Sequence, residues 1–169
     1  CTILLEFGHH ISKLIHKTIF TLITHFIKNP IHGVVNIHPG YTSMLFTLDK
    51  MANTEDIIQT IENSLNVGQN SEPPQARLVE IPVLYGDNYG RDIRRVTQYS
   101  GLNEKEIIQL HQSGKYLVYF LGFSPGFPYI GGMDRDLTTP RLQTPRKCVP
   151  QGSVAIAGGQ TGIYPFSSP

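Results

Sequence analysis

Charge, cysteine and long apolar runs are all scarce in this sequence. Charged residues make up 16% of the 169 positions, below the ~25% typical of globular domains, and the formal net charge is +1. Without a strong field of one sign, the chain lacks the usual electrostatic basis for binding nucleic acid or an anionic membrane. The longest apolar stretch, residues 19–27, is broken by Thr and His and is far shorter than the ~20 apolar residues that span a bilayer. We therefore expect no transmembrane segment, no nucleic-acid partner and no membrane partner.

Cysteine is limited to Cys1 and Cys148, which cannot build a disulfide framework and form no C-x-x-C pair. A reducing, cytoplasmic location is the simplest interpretation. The chain opens without the charged and apolar segments of a signal peptide. We also expect both of its ends to be cuts through a longer protein.

Composition changes near the middle of the chain. Up to residue 75 there are 4 Lys and Arg against 6 Asp and Glu, and beyond it there are 10 against 7. Six of the seven His precede residue 39, whereas seven of the eight Tyr follow residue 84. The polar junction contains Pro and Gly, which is typical of a linker. The sequence thus predicts an N-terminal domain over 1–68, a linker over 69–75 and a second domain over 76–169.

The first domain alternates strand and helix patterns. Residues 2–7 favour a strand, and apolar residues spaced by three or four then indicate a helix that ends near Asn29. Two strand-like runs flank residues 39–40 and indicate a hairpin, and Asn53 or Thr54 can cap a second helix. The order βαββα lacks one strand of a ferredoxin-like α+β sandwich. The residues predicted to face the core are Ile11, Ile15, Ile19, Leu22 and Phe26 in the first helix, and Ile57, Ile58, Ile61 and Leu65 in the second.

The second domain opens with a strand pattern over 77–85, whose internal proline indicates a sheet edge. Two short helices are predicted over 92–99 and 104–112, and Asn103 and Glu106 form a capping box before the second. The length suits a helix-turn-helix, but the acidic opening of the second helix would face phosphate oxygens, so a structural helix pair is the better interpretation.

A buried strand is predicted over 115–123. From Gly122 onward, Gly and Pro supply 15 of 48 residues, interleaved with aromatic and β-branched side chains. This pattern predicts short strands joined by tight turns, as in a small barrel.

Three patterns resemble catalytic, phosphate-binding or metal-binding motifs but lack features that those functions require. Residues 122–126 match the G-x-S-x-G nucleophile elbow, but Pro125 has no N–H to donate to an oxyanion, so we reject Ser124 as a nucleophile and leave catalytic residues unknown. The glycine-rich run 157–162 lacks the Lys-Ser/Thr of a phosphate loop. The six early histidines lack metal-ligand spacing, and we expect no metal.

Thr-Pro-Arg occurs twice, at 139–141 and 144–146. Arg141 and Arg146 either offer planar forks to a carboxylate or phosphate, or are two exposed arginines on a proline-stiffened turn. Phe123, Phe127 and Tyr129 either line a groove or fill the barrel.

Residues 121–132 read LGFSPGFPYIGG, and residues 149–165 read VPQGSVAIAGGQTGIYP after the two Thr-Pro-Arg triplets. This long, ordered pattern closely resembles the KipI / allophanate hydrolase subunit 1 family. The runs EIPVLYG at 80–86, GVV at 33–35 and PGYTS at 39–43 are similar to the same family, so the resemblance covers most of the chain. It implies a small N-terminal α+β domain followed by a cyclophilin-like β-barrel. The family motif ordinarily continues past Pro169, which leaves open a barrel truncated at its C-terminus.

The resemblance implies the B component of an ATP-dependent 5-oxoprolinase, which converts 5-oxoproline to L-glutamate. The implied partners are subunits A and C, a carboxyltransferase-like partner and a lactam-utilisation-type subunit. No cofactor is expected on this chain, and ATP is used by the complex. Two alternatives stay open: a KipI-type inhibitor of a sporulation histidine kinase, and a subunit related to allophanate hydrolase or urea carboxylase. A scaffold that only stabilises its partner is a third.

A substrate with a carboxylate and a lactam calls for an arginine fork and well-placed amide donors. On this hypothesis, one groove binds the substrate or a partner. Its expected residues are Phe123, Phe127, Tyr129, Arg141, Arg146, Gln160, Thr161 and Tyr164.

Overall fold

The computed structural model describes residues 1–70, 75–86 and 88–169 as a mixed α/β chain with two antiparallel sheets. This part of the chain divides into two compact units, Cys1–Leu78 and Val79–Pro169. None of the helices in the described ranges is long and apolar enough to cross a membrane. In chain order the elements are β1 (Thr2–Glu6), α1 (Lys13–Lys28), β2 (Val34–Pro39), β3 (Ser43–Leu48), α2 (Thr54–Asn70), α3 (Ile93–Ser100), α4 (Glu104–Ser113), β4 (Leu117–Leu121), β5 (Pro128–Gly131), β6 (Val154–Ala157) and β7 (Gln160–Ile163).

The first unit is a three-stranded sheet in the order β1-β3-β2. The central strand β3 alternates buried and half-buried residues, so that Met44, Phe46 and Leu48 point to one face. Burying such side chains stabilises a fold by about 1.5–3 kcal/mol each. The helices cover this face with Ile19, Leu22, Phe26, Ile57 and Ile61.

Local signals set the beginning of both helices in this unit. The Ser12 hydroxyl accepts the Ile15 N–H at 3.1 Å, so α1 begins after Ser12. Ile11 therefore lies outside the helix and is 48% exposed, and its predicted core position is wrong. Asn53 caps α2 by accepting the Glu55 N–H at 3.1 Å.

The second helix differs from its prediction in two places. Ile58 is 39% exposed rather than in the core, because it lies one residue, or about 100°, away from the buried stripe of Ile57 and Ile61. The helix also continues to Asn70, so the predicted linker over 69–75 begins inside it. Residues 71–74 of that linker lie outside the described residues.

The predicted strand over 77–85 is wrong. Residues 75–85 have no regular secondary structure, and Leu78 and Leu84 are largely exposed. Their β-favouring composition supports an extended backbone, but a strand also needs a neighbour to pair with. Within the described ranges no such pairing is formed, and Pro82 lacks a donor for one.

The second unit contains a four-stranded sheet in the order β4-β5-β7-β6, built from the short strands that the glycine-rich half predicts. In place of the predicted buried strand over 115–123, the sheet has the shorter β4. The prediction that this strand is buried is wrong, because Val118 is 48% and Leu121 61% exposed.

A helix pair packs against the core of this unit. The predicted capping box is confirmed: the Glu106 N–H donates to Asn103 at 3.1 Å, and the Asn103 N–H donates to the Glu106 carboxylate at 2.8 Å. Gly101 ends α3 in the left-handed region at φ +72°. Val96 and Ile107 then pack with Met133 and Leu137, as a structural helix pair requires.

A buried histidine ties the irregular segment before α3 to α4. The Tyr85 hydroxyl and His111 Nδ1 share a hydrogen bond of 2.6 Å, and the Tyr116 hydroxyl donates to the His111 carbonyl at 2.7 Å. Among the described residues, the buried Nε2 of His111 has no hydrogen-bond partner. Burial lowers the pKa of His111 and, with nearby negative charge, raises the pKa of Tyr116 to about 12.

We expect His111 to make stability fall in acid. Its folded pKa lies below the ordinary value of 6.5, so below that pH the unfolded chain binds a proton that the folded chain excludes. Neutral His111 therefore makes its full contribution to the free energy of unfolding above the pKa that it has in the unfolded chain. That contribution is lost as the pH falls from this value toward the lower pKa of the folded state. His111→Asn, which keeps an acceptor for Tyr85, should flatten the fall of Tm between about pH 8 and about pH 5.

Replacing an exposed histidine, as in His9→Asn, is the matched control and should keep the wild-type slope. His16, whose pKa burial also lowers, contributes equally to both variants. A wild-type slope in His111→Asn would contradict the prediction.

Candidate aromatic and arginine sites

The sheet of the second unit has two chemically different faces. Tyr129 pairs with Gly162, and Ile130 pairs with Thr161. Because successive side chains alternate across a strand, Ile130 and Thr161 point to the buried face, on which Ile156 packs against the core. Tyr129 and Gly162 point to the opposite side, which we call the aromatic face. Its rings are Phe120, Phe123, Phe127, Tyr129 and Tyr164.

Phe127 is the centre of this ring cluster. Its ring centroid lies 5.5 Å from Phe123, 5.5 Å from Tyr129 and 5.2 Å from Tyr164, each in an edge-to-face arrangement. Tyr129 also stacks on Phe120 at 4.5 Å. Such pairs stabilise by about 0.5–1.5 kcal/mol beyond the area they bury. The structure thus brings together all four of the predicted aromatic residues and adds Phe120.

Glycines opposite the rings make this packing possible. A Cβ placed on Gly162 would lie 2.7 Å from Cζ of Phe127, and one on Gly131 would lie 2.6 Å from Cε2 of Tyr119. Both distances are shorter than any ordinary van der Waals contact. The glycine-rich pattern of this half therefore gives rings room to pack closely against the strands.

The loop that joins β4 to β5 presents one ring to solvent. The Ser124 N–H donates to the Gly122 carbonyl at 2.6 Å, which closes a three-residue turn around Phe123, a non-glycine residue at φ +62°. The Phe127 N–H donates to the Ser124 carbonyl at 3.0 Å, across a turn with Pro125 and Gly126 at its centre. Phe123 is left 64% exposed.

Ser124 lies in this loop without the features of a nucleophile. Its Oγ is buried and has no hydrogen-bond partner among the described residues, so no base is in place to activate it. A shallow depression of about 280 Å³ surrounds the loop and is lined by residues 121–126. The depression can receive an apolar group, but it offers no acid–base pair.

Gln160 and Thr161, predicted to share one groove, lie on opposite faces of β7. The Thr161 hydroxyl is buried and donates to the Ala155 carbonyl at 2.9 Å. Gln160 is half-buried on the side of Gly162 and Tyr129, next to Ala157 in the ladder. Of the two predicted polar contacts, only Gln160 is on the aromatic face.

Arg146 forms a two-pronged ion pair with Asp92. Its two terminal nitrogens lie 2.6 and 2.7 Å from the two carboxylate oxygens. The Arg146 hydrogen bond holds the pKa of Asp92 below its usual range, and the same bond raises the pKa of Arg146. Both side chains are more than one-third exposed, so solvent screening keeps the pair near the 0–1 kcal/mol typical of surface ion pairs. The fork predicted for a ligand carboxylate is therefore already engaged.

Arg95 fastens the same loop to α3. Its Nη2 donates to the carbonyls of Pro140 and Arg141 at 3.1 and 3.2 Å, and its guanidinium lies 4.8 Å above the ring of Tyr99. The Arg141 side chain is exposed. The hydrogen bonds of Arg95 and Arg146 thus run between α3 and the 140–146 loop rather than to the aromatic face.

Asp92 and Arg95 are the contacts that sequence reasoning missed. In the sequence, Asp92 was recognised only as the start of a predicted helix, because its partner Arg146 lies 54 residues away. No group of three or more His, Cys, Asp or Glu that could hold a metal occurs in the described ranges.

Comparison with known proteins identifies close relatives. The model of the family "Carboxyltransferase domain, subdomain C and D" matches residues 1–169. The chain is 39% identical to the B component of 5-oxoprolinase from Escherichia coli O157:H7, over 99% of this chain and 76% of that protein. It is 33% identical to the B component of 5-oxoprolinase from Bacillus subtilis, over 98% of this chain and 74% of that protein.

A crystal structure of TTHA0988 superposes on the whole chain with a TM-score of 0.85 at 33% identity, and the chain spans 32% of that longer protein. The resemblance drawn from the motifs at 121–132 and 149–165 is confirmed. This chain belongs to the family of carboxyltransferase domains, subdomains C and D.

Proposed function

We propose that this chain acts as the B component of an ATP-dependent 5-oxoprolinase, which converts 5-oxoproline to L-glutamate. One observation carries the proposal: relatives that bear the name of this 5-oxoprolinase component match 98–99% of the chain at 33% and 39% identity. The kinase-inhibitor and allophanate hydrolase alternatives gain no support from these names.

The chain works in this proposal as a non-autonomous, cytoplasmic subunit. Among the described residues the Ser124 Oγ has no hydrogen-bonded base, Pro125 has no N–H to donate, and the sequence contains no phosphate loop. In this proposal, ATP binding and the reacting groups reside partly or wholly in subunits A and C, a carboxyltransferase-like partner and a lactam-utilisation-type protein. In this proposal the chain binds no cofactor itself and contributes a binding surface to the complex.

The finer fold assignment belongs to the same proposal. The βαββα order of the first unit supports a ferredoxin-like sandwich, and the short, glycine-spaced strands of the second support a cyclophilin-like barrel.

The aromatic face forms the groove for substrate or partner. Phe123, Phe127 and Tyr164 offer apolar walls, and the half-buried Gln160 offers an amide on the same face of the sheet as Tyr129. A lactam ring suits such a surface, because its flat apolar part packs on rings while its amide hydrogen-bonds to an amide. The carboxylate contact assigned to Arg141 and Arg146 stays a prediction. Arg141 is the more available of the two, because its side chain is exposed whereas Arg146 is paired with Asp92.

The direct test is ATP-dependent release of glutamate from 5-oxoproline by co-expressed subunits, with and without this chain. We expect the activity to require the chain. A complex that co-purifies intact but is inactive would contradict the substrate, and full activity without the chain would contradict the subunit role.

Phe123→Asn separates binding from folding. Asn tolerates a positive φ better than Phe, and this relief of backbone strain offsets the loss of the mostly exposed ring and its edge-to-face contact with Phe127, so the Tm of the variant should be no lower than that of the wild type. We expect complex activity to fall about tenfold, which corresponds to about 1.4 kcal/mol of lost contact energy. Met51→Asn removes a 91% exposed side chain from the first unit and is the control. Equal activities in the two variants would remove Phe123 from the groove.

Gly162→Ala tests the position of Phe127. The new methyl group would overlap Cζ of Phe127, so the ring must rotate out of the cluster. We expect lower complex activity with altered tyrosine fluorescence from Tyr129 and Tyr164. In Gly159→Ala the nearest neighbouring atom is 4.0 Å away, and this control should behave as wild type. An active Gly162→Ala complex would show that the ring position is unimportant.

A further inference from the structure

Basic residues surround one acid on the surface where the 140–147 loop meets α3. Segments 91–95 and 140–147 contain six cationic residues and a single acid, Asp92. The Asp92–Arg146 pair and the bonds from Arg95 to Pro140 and Arg141 hold the two segments together. We call this surface the basic face; its cations are Arg91, Arg94, Arg95, Arg141, Arg146 and Lys147.

Most of this positive charge is available to a partner. Asp92 is occupied by Arg146, while Arg95 and Arg91 add only long-range attraction to its carboxylate. The side chains of Arg91, Arg94, Arg141 and Lys147 are exposed. In the part of the chain that the structure describes, none of these four forms an ion pair.

Arg95 and Arg146 have structural partners, but local stability does not account for Arg94. This exposed arginine lies in the first turn of α3, which contains no acidic residue, and a cation there opposes the helix dipole by about 0.3–1 kcal/mol. The neighbouring helix α4 shows the favourable pattern, with Glu104 and Glu106 in its first turn. A local conflict of this kind indicates selection for binding rather than for folding.

We propose that the basic face docks an acidic surface of a protein partner. The identification of this partner as a neighbouring subunit of the complex rests on the proposed function. Exposed cations on an extended surface suit a macromolecule better than a small anion, which needs an enclosing site. The two-pronged fork that best fits a small carboxylate is already filled by Asp92.

Protein is favoured over nucleic acid because the chain as a whole carries a net charge of only +1. Nucleic-acid affinity rises with the number of phosphates neutralised along an extended track, whereas a local charged patch gives orientation and speed to protein association. The Asp92–Arg146 pair lies at the centre of the patch, and the exposed cations around it select the partner.

Charge reversal at two exposed positions tests the inference. Arg94→Glu/Lys147→Glu reverses two cations of the basic face, and Lys105→Glu/Lys115→Glu makes the same change in charge elsewhere in the unit. Arg94 and Lys105 are both the second residue of a helix, where glutamate favours the dipole. Both variants should therefore fold, which Tm and circular dichroism verify.

Each full-length variant is co-expressed with the partner subunits, and the complex is washed at increasing NaCl. We expect the basic-face variant to associate about tenfold more weakly than the control, and wild-type affinity to fall with salt. Equal retention of the two variants would overturn the docking inference, even in a complex that releases glutamate. Selective weakening in an inactive complex would support docking while contradicting the proposed function.

Absence of any wild-type complex at low salt would overturn both. A further outcome would favour nucleic acid over a protein partner. In it, the free chain binds a single-stranded oligonucleotide, charge reversal of the basic face weakens that binding, and both variants are retained in the protein complex as well as the wild type.

Discussion

Side-chain alternation along β5 and β7 governs the second unit, because each residue that faces the core has a neighbour that faces the rings. Ile130 and Thr161 point inward, while Tyr129 and Gly162 point outward. A shift of one residue in the pairing of β5 would turn Tyr129 toward the core and Ile130 toward the surface. The register that buries the apolar residues therefore also assembles the aromatic face, so the stability of the unit and its surface chemistry are linked.

Several features that could be predicted from the sequence depend on residues three or four positions apart. The capping box of Asn103 and Glu106 and the buried stripe of α1 are of this kind. The segment 77–85 was mispredicted because pairing depends on a distant strand, which composition does not reveal. Ile11 was misplaced because the helix begins only after Ser12, and Ile58 was misplaced because it lies one residue away from the buried stripe.

In the candidate site, too, contacts between residues close in sequence were easier to predict than contacts between distant ones. Aromatic residues close in sequence lie together in the structure, since a tight loop and a hairpin bring them together. Gln160 and Thr161 were grouped by motif, although adjacent strand residues cannot share a face. Asp92 was missed as the partner of Arg146 because 54 residues separate them.

Phe123 shows why local cost and surface function belong together. A non-glycine residue at positive φ costs about 1–3 kcal/mol, and asparagine or glycine would relieve that strain. The cost is not recovered by burial, since the ring is 64% exposed; its edge-to-face partner is Phe127. The turn at Pro125 and Gly126 nonetheless holds the ring at the rim of the depression. An exposed ring fixed in a strained turn loses little conformational entropy on binding, and that gain in affinity compensates for the strain only when the surface is occupied.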